Sequence, residues 1–179
     1  MAIGAVSGSV QFKISFQEYV TAGVITPETL PAIIQANDGA GDTINYATGT
    51  GSGATDLEYA AKITLAATTQ TIDLTSLTSP SGAAVNFARV REFIVYNPDT
   101  TAGHDIKVEG GASNPWAFVA PSTAPQYAWA NGGTVWLRDP KSTGGGNGMV
   151  VGGASKTVKF DSGSNTVTFY VLISGTSVA

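Results

Sequence analysis

The sequence predicts an all-β protein, an antiparallel β-sandwich of jelly-roll type with an N-terminal arm or strand extension. Short apolar segments recur beyond residue 57, and turns rich in Gly, Pro and Asn separate them every ~8–12 residues. Several of these segments alternate apolar and polar residues with the period of two that a half-buried strand requires. No amphipathic helix longer than two turns can be drawn on the sequence.

The turns bound the predicted strands of the main body. In chain order these strands are 59–66, 71–74, 85–96, 105–108, 116–119, 134–137, 149–151, 156–160 and 166–173. Residues 93–96 are apolar on both faces, which favours a central position in a sheet. The segment 166–173 is also apolar on both faces, so it is either central or lies at a subunit interface. SPSG at 79–82 and NPDTTAGHD at 97–105 are typical of turns and loops.

The beginning of the chain differs from the rest, and we expect an N-terminal strand or arm (1–45) and a β-sandwich body (46–179). Four apolar residues near the start alternate with polar ones and predict a strand: Val10, Phe12, Ile14 and Phe16. Residues 38–56 are rich in Gly, Thr, Asp and Ser, which indicates a loop around a short strand near 44–47.

The charge composition argues against several classes of partner. Charged residues are 12% of the chain, about half of the usual ~25%, and the net charge is −4. Nine Lys and Arg spread along the chain cannot form the basic patch that nucleic acid or an anionic membrane requires. The sequence also has no cysteine, so it has no disulfide and no thiolate metal site. Such low charge favours association within a larger assembly.

A glycine-rich segment only partly matches a phosphate-binding loop. Gly148 and Gly153 have the correct separation, but Ala154 and Ser155 intervene before Lys156, where the motif requires lysine directly after glycine. An alternating strand pattern follows, whereas a phosphate loop opens into a helix. GTGSG at 49–53 likewise lacks the strand and helix context of a dinucleotide site. We therefore expect these glycines to form turns.

The sequence predicts no catalytic residue, no cofactor and no metal site. His104 is the single histidine and lies in a predicted loop beside Asp105, with no G-x-S-x-G motif anywhere in the chain. A metal site at Asp99, His104 and Asp105 would have no characteristic ligand spacing. Several acids fall beside predicted turns, where Asp commonly caps the backbone.

Aromatic residues are concentrated in the segment 116–136, and two interpretations remain open. They form the core or a subunit contact, or they form an exposed platform for a sugar or a partner protein. The residues expected at an interface combine this segment with the N-terminal strand. They are Val10, Phe12, Ile14, Phe16, Trp116, Phe118, Trp129 and Trp136. Trp116 and Phe118 are predicted to share one strand face.

Several segments carry a family resemblance. They are GTGSGATDLEY (49–59), KITLAATTQTIDLTSLTSPSG (62–82), VNFARVREFIVYN (85–97), NGG (131–133) and TVTFYVLISGTS (166–177). The chain here resembles small β-sandwich virion structural proteins of tailed bacteriophages, of the head decoration or cement type. The resemblance is weaker before residue 45, and STGGGNG at 142–148 departs from it as an insertion that could reach a neighbour. The matching motifs are structural, and no catalytic residue is carried over.

The resemblance implies a non-enzymatic virion protein assembled in the bacterial host cytoplasm. We expect a capsid decoration or cement protein that forms a homo-oligomer, a trimer being one candidate, and binds the major capsid protein or other virion proteins. A tail or fibre component that contacts host surface glycans is the first alternative. A free carbohydrate-binding module is the second. Neither nucleic acid nor a membrane is expected as a partner.

Overall fold

Every regular element that the structure describes is a β-strand. The structure is a computed structural model that describes residues 47–48, 54–79, 82–119, 127–129, 133–138 and 148–177, all within the unit Tyr46–Ala179. The all-β prediction is confirmed for these residues. The strand predicted around Val10, Phe12, Ile14 and Phe16 lies outside them. In the described ranges there is no helix with the length and apolar character needed to cross a membrane.

Thirteen strands are seen in the described residues. They are β1 (Ala47–Thr48), β2 (Ala54–Thr55), β3 (Leu57–Ala66), β4 (Thr69–Asp73), β5 (Leu77–Thr78), β6 (Ala84–Val85), β7 (Arg89–Tyr96), β8 (Ile106–Gly110), β9 (Tyr127–Trp129), β10 (Thr134–Arg138), β11 (Met149–Val150), β12 (Thr157–Asp161) and β13 (Thr166–Thr176). Most coincide with the strands that the hydrophobic pattern predicts, within two or three residues at each end.

The larger sheet has five antiparallel strands. Its order is β10-β7-β13-β3, and β11 also pairs with β7. Both β7 and β13 are therefore interior strands, as their two apolar faces predict. For β13, one face carries residues of the hydrophobic core, and Leu172 on the other face is only 3% exposed.

The second sheet has four antiparallel strands in the order β4-β12-β8-β9. Two small two-stranded sheets accompany it. One is a parallel pair of β1 with β2, and the other is an antiparallel pair of β5 with β6. Between β5 and β6 the Gly82 N–H donates to the Ser79 carbonyl (2.9 Å), and Gly82 has φ +84°, in agreement with the predicted turn.

The hydrophobic core takes side chains from both larger sheets. Phe160 of β12 contacts Phe169 of β13, with ring centroids 5.0 Å apart. Trp116, from the segment after β8, packs against Phe93 of β7 at 5.5 Å between centroids. All four rings have no exposed surface, and burying such rings is the main stabilising contribution to folding.

Ion pairs join side chains on or beside neighbouring strands of the described body. They link Lys159 to Glu109, Lys156 to Asp73 (2.8 Å) and Arg138 to Glu92 (3.4 Å). Glu109 has no exposed surface, so the lysine beside it offsets part of the cost of burying its charge. In these pairs, each charged side chain is already neutralised by a partner within the chain.

The sequence predicts one continuous strand over 85–96, but the structure has two strands there. The backbone leaves strand pairing between β6 and β7, which belong to different sheets. The Phe87 N–H donates to the Leu74 carbonyl (3.0 Å). The Ala88 N–H donates to the Thr176 carbonyl (2.8 Å). Phe87 is fully buried, so the break places a large ring in the core while its backbone stays hydrogen-bonded.

Residues 116–119 form a turn, so the strand predicted there is wrong. The Val119 N–H donates to the Trp116 carbonyl (3.1 Å), which closes the turn. Asn114 precedes it with φ +53°, in the left-handed region that interrupts an extended chain. Pro115 then lacks the N–H that a ladder would need. The backbone before Trp116 therefore cannot continue as a regular strand.

The pairing of β13 with β7 shifts by one residue at Gly175. Ser174 pairs with Glu92, but Gly175 pairs with Val90, so β7 carries one extra residue. A Cβ atom on Gly175 would overlap the Arg89 carbonyl oxygen and would lie 2.8 Å from Cδ1 of Phe87. Only glycine fits at this close approach.

Gly175→Ala should therefore lower the free energy of unfolding by about 3 kcal/mol, because the methyl group must displace backbone. Gly82→Ala is the matched control, since it meets no atom within 4 Å and adds only backbone strain of about 1 kcal/mol. Urea unfolding followed by circular dichroism measures both. Equal losses in the two variants would contradict the close approach at Gly175.

Candidate functional site

The glycine-rich segment 148–157 has no phosphate-loop geometry. After β11, the chain turns tightly at Gly152–Ser155, where each of these two residues donates its N–H to the other's carbonyl (2.9 Å). Gly148, Gly152 and Gly153 have φ values of +102°, +136° and +55°. The chain then enters strand β12 rather than a helix. The prediction that these glycines turn strands is confirmed.

The loop between β7 and β8 is organised by hydrogen bonds around Asp99. The Asp99 carboxylate accepts the Thr101 N–H at Oδ1 (2.8 Å) and contacts Nδ1 of His104 at Oδ2 (2.7 Å). The Asn97 amide donates to the His104 carbonyl (2.8 Å) and accepts the Asp99 N–H (3.0 Å). Asn165 also donates its side-chain amide to the Gly103 carbonyl (2.7 Å), which attaches the loop to the turn before β13.

The polar residues of this loop stabilise its conformation. The Thr101 N–H, followed by the contact with His104, lowers the pKa of Asp99 from 3.8 to about 2. The carboxylate thus acts as a fixed acceptor that holds the loop closed. Within the described residues, no group of three His, Asp or Glu side chains is placed to hold a metal ion.

The residues expected at an interface occupy different environments. Trp116 has no exposed surface, so the core interpretation holds for it and it cannot contact a partner. Trp136 lies half-buried on β10, with the Arg138 guanidinium 5.8 Å from its ring centroid. Trp129 belongs to β9, opposite Ile106 in the backbone register. Val10, Phe12, Ile14 and Phe16 lie outside the described residues, as does the side chain of Trp129.

Among the predicted interface residues whose side chains the structure describes, Phe118 is the exposed one, with 43% of its surface accessible. The prediction that it shares a strand face with Trp116 is wrong, because the two residues lie in a turn, in which Trp116 is buried and Phe118 is exposed. Val150 is 48% exposed, and it joins Phe118 as the second large hydrophobic side chain that is exposed in the described part. Its neighbours Met149 and Val151 are buried, so the alternation of β11 directs Val150 outward.

Both exposed residues contact Trp116, Phe118 through its ring and Val150 through its backbone carbonyl, and we call Phe118 and Val150 the 118/150 patch. The ring of Phe118 is 5.5 Å from that of Trp116 between centroids. The indole N–H of Trp116 donates to the Val150 carbonyl (3.0 Å). The Ala117 N–H donates to the Ser155 hydroxyl (2.9 Å), which joins the turn at 116–119 to the turn after β11. The patch is therefore supported by a buried ring and by hydrogen bonds.

The segments that carry Phe118 and Val150 are poor in charge, and the charged neighbour on the adjacent strand is Arg89 of β7, which is the register partner of Val150. Residues 110–137 and 142–155 contain no Asp, Glu, Lys or Arg. Charge depletion around an exposed aromatic residue is typical of the centre of a protein–protein contact.

A second surface carries aromatic residues on the outer side of the five-stranded sheet. Tyr96 of β7 and Tyr170 of β13 are direct cross-strand partners. Their rings are half-buried, 6.3 Å apart between centroids and inclined by 22°. Thr134 and Lys62 flank this pair in the register of β10 and β3. Stacked rings with polar neighbours can bind the apolar face of a sugar ring.

Sequence reasoning missed Val150 as a surface residue. The signal was the segment Met149–Val151, in which period-two alternation exposes the middle residue if the outer two are buried. Reading the segment as a short, fully apolar strand hid that difference.

The Asp99 carboxyl makes stability depend on acid pH. Its pKa is lower in the folded chain than the ordinary 3.8, so its contribution is complete above that value and is lost as the pH falls toward about 2. Between about pH 5 and pH 2, the melting temperature of the wild type should fall more steeply than that of Asp99→Asn. A carboxyl NMR titration with a midpoint at the ordinary value would contradict this.

Two substitutions should separate the buried ring from the exposed one. Trp116→Phe removes the donor to the Val150 carbonyl and leaves a gap, so it should cost about 2 kcal/mol of unfolding free energy. Phe118→Ala should cost less than about 1 kcal/mol, because much of the ring is already in solvent. Denaturant unfolding measures both. A larger loss for Phe118→Ala would mean that this ring belongs to the core.

No family model, curated protein or solved structure matches this chain. Its function must therefore be inferred from its own surfaces and from the resemblance described above.

Proposed function

We propose that the chain is a non-enzymatic bacteriophage virion structural protein, a capsid decoration or cement protein that oligomerises and binds the shell. The observation that supports this most directly is the 118/150 patch, where two large apolar side chains are exposed around the fully buried Trp116. The sequence resemblance to head decoration proteins supports the virion assignment. Its location would be the assembled particle, and its partners would be copies of itself and the major capsid protein.

The body is proposed to be a β-sandwich of jelly-roll type. One hydrophobic cluster draws on both larger sheets, and Phe160 of one sheet contacts Phe169 of the other. The chain also alternates between the sheets, since β7, β8, β10, β12 and β13 fall in one or the other in turn. Both features are expected of two sheets packed face to face.

The proposed mechanism is burial of apolar surface repeated over a lattice. A single small patch provides a weak contact, because a stable interface needs about 800 Å² from each partner. Many copies attached to one shell multiply such contacts, since each bound site raises the effective concentration of the next. The arm at 1–45 is proposed to add a strand to a neighbour, which would extend the contact.

A tail or fibre component that contacts host surface glycans is the second candidate. The stacked pair of Tyr96 and Tyr170 favours it, because parallel aromatic rings bind sugar faces. Trp136, half-buried on the neighbouring strand β10, would enlarge that surface. In this case the contact chemistry would be stacking and hydrogen bonding rather than apolar burial.

Copy number in purified particles tests the proposal. A shell protein should be present at many copies, in a ratio to the major capsid protein set by the lattice, whereas a fibre protein should be present at few. Quantitative mass spectrometry with isotope-labelled peptides of both proteins measures the ratio. Few copies, together with saturable quenching of tryptophan fluorescence by glycans, would favour the tail candidate. Absence from particles would overturn both.

A further inference from the structure

We propose that Lys159 and Glu109 are joined by an isopeptide bond, an amide between the lysine Nζ and the glutamate side chain. The bond would tie β12 to β8 within the four-stranded sheet. This inference goes beyond the proposed function and does not rest on it, because it concerns a covalent modification inside one chain.

The strand register holds the two side chains together. Lys159 of β12 and Glu109 of β8 are direct cross-strand partners, and such partners have Cβ atoms about 5 Å apart. Nζ of Lys159 contacts Oε1 of Glu109. Both strands are interior, since β12 also pairs with β4 and β8 with β9. An amine and a carboxyl fixed in this way have a high effective concentration for reaction with each other.

The surroundings of Glu109 make an ion pair costly. The residue has no exposed surface. Beyond the lysine contact, no hydrogen bond reaches either carboxylate oxygen within the described residues, although a carboxylate can accept about four. Burying a charge with so few partners is expensive, because one ammonium does not fully replace the lost hydration. A neutral amide removes both charges and this cost.

The two other ion pairs that Lys and Arg form in the described body lack this combination. Asp73, paired with Lys156, keeps 31% of its side chain exposed and also accepts the N–H and the hydroxyl of Thr75. In the pair of Arg138 with Glu92, the cation is a guanidinium, which is always charged and is a poor nucleophile. The pair proposed to condense has a primary amine against a fully buried carboxyl.

The condensation balances without a co-reactant. The Lys159 ammonium gives one proton to the Glu109 carboxylate, which leaves a neutral amine and a carboxylic acid. The amine lone pair attacks Cδ of Glu109, so that an N–C bond forms and the C–O bond of the acid breaks. The leaving hydroxyl takes a second proton from the nitrogen and departs as water. The lysine side chain is 25% exposed, so the water can leave while the carboxyl carbon stays shielded from hydrolysis.

Mass spectrometry of the purified full-length chain tests the proposal. Once any removal of Met1 is accounted for, the intact mass should fall short of the sequence mass by one water. Trypsin should not cleave after Lys159, because an acylated lysine carries no charge. The digest should therefore contain residues 108–138 joined to residues 157–179, with the link at Lys159 and Glu109 in the fragment spectrum. A full intact mass with free peptide 160–179 would overturn the proposal.

Two lysine substitutions are matched controls. Lys159→Arg keeps a positive charge beside Glu109 but removes the nucleophilic amine, so the mass deficit and the linked peptides should disappear. Lys156→Arg changes the more exposed pair and should retain both. The wild type should also run faster than Lys159→Arg on a denaturing gel, because a bond between residues 109 and 159 closes a loop in the unfolded chain.

The wild-type digest decides the question even if Lys159→Arg does not fold. A mass deficit that persists in Lys159→Arg, or that maps to another pair of residues, would count against the bond. Loss of the deficit in Lys156→Arg would show that the amine of that residue, rather than Lys159, is the one that reacts.

Discussion

The described body depends on one strand, β13, which pairs on both sides and packs into the core. Its backbone bonds to β7 along one edge and to β3 along the other, so it joins two strands that are far apart in sequence. On one face its residues Val167, Phe169, Val171 and Ile173 are all fully buried. Phe169 also contacts Phe160 of the four-stranded sheet. β13 therefore holds the larger sheet together and also provides a contact with the four-stranded sheet.

Placing a strand at the centre constrains its sequence on both faces. An interior strand with one solvated face would alternate, but here Leu172 faces away from the core and is still nearly covered. Ile94, its cross-strand partner on β7, is 1% exposed although it too lies outside the core cluster. The two interior strands are therefore apolar on both faces where they pair at 93–95 and 171–173, and this is the pattern from which their position could be predicted.

The sequence was informative where local pattern and global position agree. β3, β12 and β13 could be predicted because alternation, turn residues and length all indicate strands. Residues 116–119 could not, because Trp-Ala-Phe-Val alternates in size like a strand while Asn114 at positive φ and Pro115 prevent one. Trp116 and Phe118 differ in solvent exposure because of that turn, and the periodicity of the sequence alone cannot predict this difference. The exposure of Val150 could not be predicted either, because Met149, Val150 and Val151 are all apolar and only the middle residue is exposed.

The order of strands along the chain has a consequence for biosynthesis. β3 and β7 are synthesised well before β13, yet in the five-stranded sheet they have no pairing with each other, and β13 lies between them. Until residues 166–176 leave the ribosome, both strands present unpaired edges and uncovered apolar side chains. Pairs such as Leu57 with Gly175 close a loop of most of the body, and such distant contacts form slowly. The nascent chain would therefore depend on chaperones or on delayed collapse until β13 emerges and pairs with both strands.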